Sequence, residues 1–161
     1  MPISVGDTLP EATFFRMTDD GPEQVGTADI FKGKKVAAFA VPGAYTPTCH
    51  LKHLPGFLAH TNEFKEKGVD EIVCIAVNDP FVLSAWGKES DATGRVTILG
   101  DSDASFTKAI GMDFDASAVG LGVRSKRYAM IVDDGKVSVL NIEDVPSEAE
   151  ASSAEALLKA L

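Results

Sequence analysis

Cys49 and Cys74 are the only thiols in a chain of 161 residues, and the segment leading to the first is built to hold a sulfur in place. Pro42-Gly43-Ala44-Tyr45-Thr46-Pro47-Thr48-Cys49 sets two prolines and a glycine, residues that constrain or free the backbone, directly ahead of the sulfur. Such a cysteine suits nucleophilic chemistry, in which a thiolate attacks an electrophile and nearby donors stabilise the charge that develops. A free thiol with a pKa of about 8.5 is mostly protonated at neutral pH, so a working nucleophile needs a helix N-terminus or a cation beside it. The competing assignment for Cys49 is a small buried apolar residue. Thr46, three residues earlier, is spaced to offer its hydroxyl, and Pro42 has no amide proton and would shield the sulfur from water. Arg124, Lys126 and Arg127 form a basic cluster from which spacing alone does not select the cation.

His50 and His53 raise two other chemistries, a metal pair and a Cys-His hydrolase dyad, since Cys49 and His53 lie four apart and could share a helix face. A hydrolase needs a base oriented by a third group, and a metal site needs three or four ligands, while the remaining histidine is His60. A helix-surface or local packing role is expected for these histidines, with site shaping by His53 as the lesser alternative. Cys74 stands mid-strand among Ile72, Val73, Ile75 and Ala76, where a structural cysteine is the default.

The elements that must position these residues follow from hydrophobic pattern. Lys35 to Val41 and Glu71 to Val77 are short apolar runs without alternation, as expected of strands buried on both faces. Between them a helix is expected from about Thr48 to Lys67, kinked at Pro55 and closed by Gly68, so that Cys49 falls in its first turn, among amides without intrahelical partners. Strand, helix and strand then make a parallel βαβ unit. Asp79 caps a further helix with Pro80 at its first position; a strand over Val96 to Leu99 and a helix from about Asp103 to Ile110 continue the alternation. An irregular Gly-containing stretch follows, and then Tyr128 to Val132 and Lys136 to Leu140 flank the hairpin signal Asp133-Asp134-Gly135. Thr13 to Met17, running into Asp19-Asp20-Gly21-Pro22, reads as an N-terminal β addition; Ser152-Ser153-Ala154-Glu155 reads as a capping box opening a last helix, with 143 to 150 as an acidic linker. The order is that of an α/β, thioredoxin-like sandwich: a central mixed sheet flanked by helices, with an N-terminal β extension and an α/β insertion.

At this length, with 45% hydrophobic residues, one domain spanning 1–161 is expected. A formal net charge of −9 disfavours nucleic acid and anionic membrane surfaces as partners. No stretch approaches the roughly eighteen consecutive apolar residues of a membrane helix, and Met1-Pro2-Ile3-Ser4 lacks signal-peptide character, so the mature chain is expected to start near Met1 in the cytoplasm. Two cysteines 25 residues apart suit reduced thiols rather than a disulfide scaffold or a zinc site.

Pro42, Thr46 and Cys49 meet a Pro-x-x-x-Thr-x-x-Cys pattern that resembles the active-site signature of peroxiredoxins, and the longer run through His53-Leu54-Pro55-Gly56-Phe57 resembles their type II, or peroxiredoxin 5, subgroup. The likeness continues in Gly68-Val69-Asp70-Glu71-Ile72, Val77 to Val82 and Arg127-Tyr128-Ala129-Met130, covers about residues 35 to 140, and weakens after 141. It implies a thiol peroxidase acting on hydrogen peroxide or small organic hydroperoxides at Cys49, with neither cofactor nor metal. It also implies that Arg127 is the cation beside the sulfur and that a homodimer forms through Thr46-Pro47 and Asn78-Asp79-Pro80-Phe81. Attack leaves a sulfenic acid that a thiol must reduce. Some relatives resolve it with a C-terminal cysteine, but Asp144 to Leu161 has none, so glutathione with glutaredoxin, or thioredoxin, is expected in preference to a Cys49–Cys74 disulfide. The alternatives are a general thiol-disulfide oxidoreductase, disfavoured by the missing Cys-x-x-Cys, and a non-catalytic redox sensor or holdase oxidised at Cys49.

Overall fold

The structure, a computed structural model, describes residues 2–145 and 147–161; the expected chain start at Met1 and Pro146 of the expected linker lie outside them. The turn at Asp19-Asp20 joins β1 (Thr13–Thr18) and β2 (Gly21–Gly26) into an antiparallel hairpin, and α1 (Thr27–Phe31) follows. β3 (Lys35–Val41) and β4 (Glu71–Ala76) pair in parallel from Val36 opposite Glu71 to Val41 opposite Ala76. β5 (Thr97–Gly100) continues the parallel set one residue later than its sequence suggests, and β1 closes that side. On the other side β8 (Tyr128–Asp133) and β9 (Lys136–Ile142) run antiparallel, joined at Asp134 and Gly135, whose φ values of 48° and 80° make the two-residue turn that suits a right-twisted hairpin. The seven strands lie in the order β2-β1-β5-β4-β3-β8-β9, and a two-stranded ribbon, β6 (Asp113–Asp115) with β7 (Val123–Ser125), occupies the stretch expected to be irregular. The mixed thioredoxin-like sheet flanked by helices is the expected fold.

The absence of alternation in β3 is explained by its two faces. Ala37, Phe39 and Val41 pack into one core with Leu54, Phe57, Trp86 and Leu157, and Val36, Ala38 and Ala40 into another with Phe14, Phe31 and Phe106. The first core carries the chemistry-bearing residues, because both Cys49 and Cys74 belong to it.

The long helix expected over 48 to 67 is divided. Helical geometry begins at Pro47, but Cys49–His53 form a π-helical turn in which the Leu54 amide donates to the Cys49 carbonyl, five residues back. In an α-helix the Pro55 ring would collide with the carbonyl of Leu51, and the wider turn relieves that clash while Pro55 enters the first turn of α2 (Leu54–Ala59). A second break, unforeseen in sequence, falls at His60, with φ −114° and ψ 16°, before α3 (Thr61–Glu66). Gly68, at φ 87°, ends the segment as expected. α4 (Pro80–Glu89) is capped by Asp79, whose carboxylate accepts from the Val82 amide at 2.8 Å. α5 is confined to Ser105–Ala109, shorter than the helix expected from about Asp103 to Ile110, with buried Asp101 accepting from the Phe106 and Thr107 amides.

At α6 (Ala154–Lys159) the expected capping box is not formed: Ser153 is the cap and accepts from the Ala156 amide. Ser152 is fully buried and turned to Glu143, which makes the start of the expected linker part of the interior. Among the described residues no helix is long and apolar enough to cross a membrane.

Phe57 stacks on Phe39 at 4.0 Å and faces Phe64 at 5.5 Å, a ladder that seats α2 and α3 on the sheet beneath the active-site turn. Phe57→Ala is expected to cost about 3–5 kcal/mol in urea unfolding. A loss below about 1 kcal/mol would mean that the ladder does not anchor these helices.

Candidate active site

Cys49 is placed by the end of β3, a constrained loop and the π turn. The chain leaves the sheet at Pro42, passes Tyr45 in the left-handed region at φ 64°, and enters the helix as the His50 amide donates to the Thr46 carbonyl. The Ala44 amide donates to Asn78 Oδ1 at 2.9 Å, which ties this loop to the segment after β4. A Cβ at Gly43 would lie 2.7 Å from Arg124 Nη1, the far end of a flexible side chain that would have to shift. Pro42 is buried, and its carbonyl lies 3.4 Å from Arg124 Nη1.

Two donors converge on the fully buried sulfur. Thr46 Oγ1 lies 2.7 Å from Cys49 Sγ and 2.8 Å from the Gly43 carbonyl, so its single proton goes to one or the other. Arg127 Nη2 donates to Sγ at 3.0 Å from the start of β8, the strand paired with β3. Of the three cations left open by spacing, the fold brings Arg127 to the sulfur. Arg124 is turned to the Leu121 and Pro42 carbonyls, and Lys126 is exposed.

His53 takes the lesser of the two expected roles, beside the site. It is buried rather than at the helix surface, and its ring bridges Arg127 Nη1, 2.9 Å from Nδ1, and the Ser152 carbonyl, 2.8 Å from Nε2. A guanidinium offers only donors, so Nδ1 accepts and the ring proton sits on Nε2, from which it is donated to Ser152. Burial, with the charge of Arg127 second, pushes His53 down to about 3 against the weaker opposing pull of the Ser152 carbonyl, and the imidazole is neutral at pH 7. His50 keeps a packing role, accepting from Trp86 Nε1 at 3.1 Å, and His60 lies 2.7 Å from Glu63. The signal that could have found His53 is its spacing from Cys49 together with a fixed cation requiring a neutral acceptor.

Cys74 is fully buried on β4 opposite Phe39, on the same sheet face as Cys49. Burial pushes its thiol up, the neighbouring Cys49 adds to this, and Arg127 opposes it; Cys74 is therefore a neutral thiol at physiological pH. Both cysteines are free. The arrangement presents one sulfur with two polar donors to an electrophile and leaves the other without such support.

Comparison with known proteins agrees with that chemistry. The Redoxin family matches residues 4–158. Peroxiredoxin-2B of Arabidopsis thaliana is 47% identical over 165 aligned positions, covering 99% of each chain. Among solved structures, reduced Prx3 from Vibrio vulnificus in complex with H2O2 superposes with a TM-score of 0.93 at 47% identity, covering 98% of each chain. Peroxiredoxin 5 from Alvinella pompejana gives 0.87 at 36% identity, covering 99% of this chain and 97% of its own. The chain thus belongs to the Redoxin family and, within it, to the type II peroxiredoxins, enzymes that reduce peroxides with a thiol.

Proposed function

We propose that Cys49 is the sulfur that attacks peroxide, with Thr46 and Arg127 as catalytic partners, Pro42 as its cover, and His53 positioning Arg127. The observation that carries this reading is the convergence of Thr46 Oγ1 and Arg127 Nη2 on one buried sulfur. A sulfur electron pair forms the S–O bond as the O–O bond breaks, and the departing oxygen takes a proton to leave as water or an alcohol. Arg127 stabilises the thiolate before attack and the charge on the departing oxygen during it, and Thr46 orients the peroxide.

The resulting sulfenic acid condenses with an external thiol, releasing water and forming a mixed disulfide that a second thiol cleaves. Glutathione with glutaredoxin, or thioredoxin, fits this role. The neutral, fully buried Cys74 is a poor internal rival, and a Cys49–Cys74 disulfide would require the turn or strand to open. The active form is a homodimer of single-domain 1–161 chains. The exposed side chains of Tyr45, Phe81 and Val82 favour such a contact across the loop held by Asn78. Two free thiols suit a reducing compartment, and we place the protein in the cytoplasm.

In stopped-flow mixing of reduced protein with peroxide, Cys49→Ser is expected to abolish consumption. Residual turnover of a tenth or more would reject Cys49. Arg127→Gln should slow the attack by roughly 10²-fold and reduce thiolate absorbance at pH 7, whereas Arg124→Gln should be nearly silent. The converse would move the role to Arg124.

Cys74→Ser should retain most glutaredoxin-supported turnover, and peroxide-treated wild type should carry sulfenic acid or a glutathione adduct at Cys49 by mass spectrometry. A dominant Cys49–Cys74 disulfide with loss of turnover in Cys74→Ser would identify Cys74 as the resolving thiol. Sedimentation should show a dimer that Phe81→Asp dissociates; a monomeric wild type at high concentration would refute the contact.

His53 also sets a pH dependence. Its folded value, about 3, lies below the ordinary 6.5, so the unfolded chain binds a proton first and stability falls as pH drops through that window. The slope from this group is about 1.4 kcal/mol per pH unit. His53→Gln should remove that share of the slope in urea titrations between pH 7 and 5, and an unaltered slope would contradict a buried neutral imidazole.

A further inference from the structure

The hydrogen bonds that reach the sulfur do not stop at His53. The Ser152 carbonyl that receives the His53 Nε2 proton belongs to a residue whose amide and hydroxyl both donate to Glu143 Oε1, at 2.7 and 3.0 Å. Glu143 is fixed in turn by its own amide, which donates to the Arg127 carbonyl at 3.0 Å. Cys49, Arg127, His53, Ser152 and Glu143 thus form a continuous network, each member buried. It returns through Glu143 to the backbone of the arginine at which it began.

We propose that Glu143 and Ser152 are positioning residues for peroxide reduction, holding the His53 ring in the orientation and tautomer that aim Arg127 at the Cys49 sulfur. The proposal rests on the reading of Cys49 and Arg127 given above.

The physical case is one of fixed direction. His53 Nδ1 accepts from Arg127 only while the ring proton stays on Nε2, and that proton needs an acceptor, which is the Ser152 carbonyl. A carbonyl in an irregular segment has no ladder to hold it in place. Ser152 precedes α6 and follows β9 by ten residues; it is held by its two bonds to Glu143 and, on the far side of the carbonyl's own peptide unit, by the Ser153 amide, which donates to the Glu150 carbonyl at 3.3 Å. The same segment is fixed once more near the active-site turn, where Thr48 Oγ1 donates to the Ser147 carbonyl at 2.7 Å. With Glu143 removed, the carbonyl's peptide unit keeps only the longer Ser153–Glu150 bond, and the ring and guanidinium lose part of the support that aims them. Buried carboxylates also cap helices, but the cap of α6 is Ser153, so Glu143 is not used for that purpose.

The test is a double-mutant cycle read by the peroxide rate constant in stopped flow and by thiolate absorbance at pH 7. Glu143→Ala should slow peroxide attack about tenfold and lower the thiolate signal, and Ser152→Ala, which keeps the backbone bond, should do so about threefold. Glu143→Gln retains an acceptor oxygen and should restore most of the rate. In an Arg127→Gln background the Glu143→Ala change should have no further effect, because its target is absent.

If Arg127→Gln is slow while Glu143→Ala matches wild type in rate and thiolate signal, the positioning role is overturned and the Arg127 reading stands. If Arg127→Gln is itself silent, it is the underlying reading that fails. Additive losses in the double variant, or a Glu143→Gln as slow as Glu143→Ala, would also overturn the proposal. Should Glu143→Ala not fold, Ser152→Ala and Glu143→Gln decide by the same two readouts.

Discussion

A guanidinium cannot lose its charge, so a buried arginine must be met by acceptors inside the protein, and much of this site follows from how Arg127 is met. Its position at the start of β8 comes from the sheet, because Tyr128 is already in register with Ala40 of the central strand. Its side chain then reaches the π turn, which offers a sulfur and an imidazole nitrogen four residues apart. Sulfur and neutral imidazole both accept from it, and neither brings a second positive charge to the site. Cation and sulfur are thereby held together inside the protein.

The two cysteines show how little residue type decides. They share a sheet face and a core, and Cys74 senses both Cys49 and Arg127. Cys49 lies at a loop and helix junction, where a hydroxyl and a guanidinium have room to approach. Cys74 is enclosed mid-strand by apolar neighbours, where a charge would have no partner. Reactivity is assigned by what the backbone allows to stand next to the sulfur.

The sheet was legible in the sequence because buried parallel strands, an Asp-Gly hairpin and an Asp-Pro helix start each leave local marks, at Lys35 to Val41, Asp133 to Gly135 and Asp79-Pro80. Cys49 and Thr46 were legible from the constrained loop, and Arg127 only through the family likeness, since Arg124 and Lys126 are its equals by spacing. What stayed hidden depends on distant contacts. The π turn comes from one proline acting on a carbonyl four residues back, and the break at His60 has no breaker residue to announce it. Site shaping by His53 ranked below a surface or packing role because its two partners lie 74 and 99 residues away. The capping-box spacing pointed to Ser152, yet Ser153 caps α6 and Ser152 is bonded instead to Glu143, in a segment without periodicity.

The bond from Arg127 to Cys49 spans 78 residues of chain, and that separation gives the site a history as well as a shape. As the polypeptide is synthesised, the sulfur emerges long before its arginine, and Glu143 and Ser152 follow later still. Until then Cys49 lacks the donor that Arg127 brings to it in the folded chain. Sulfur and donor so far apart meet only when β8 has paired with β3, so the site is a product of the whole sheet and not of the loop that carries the cysteine.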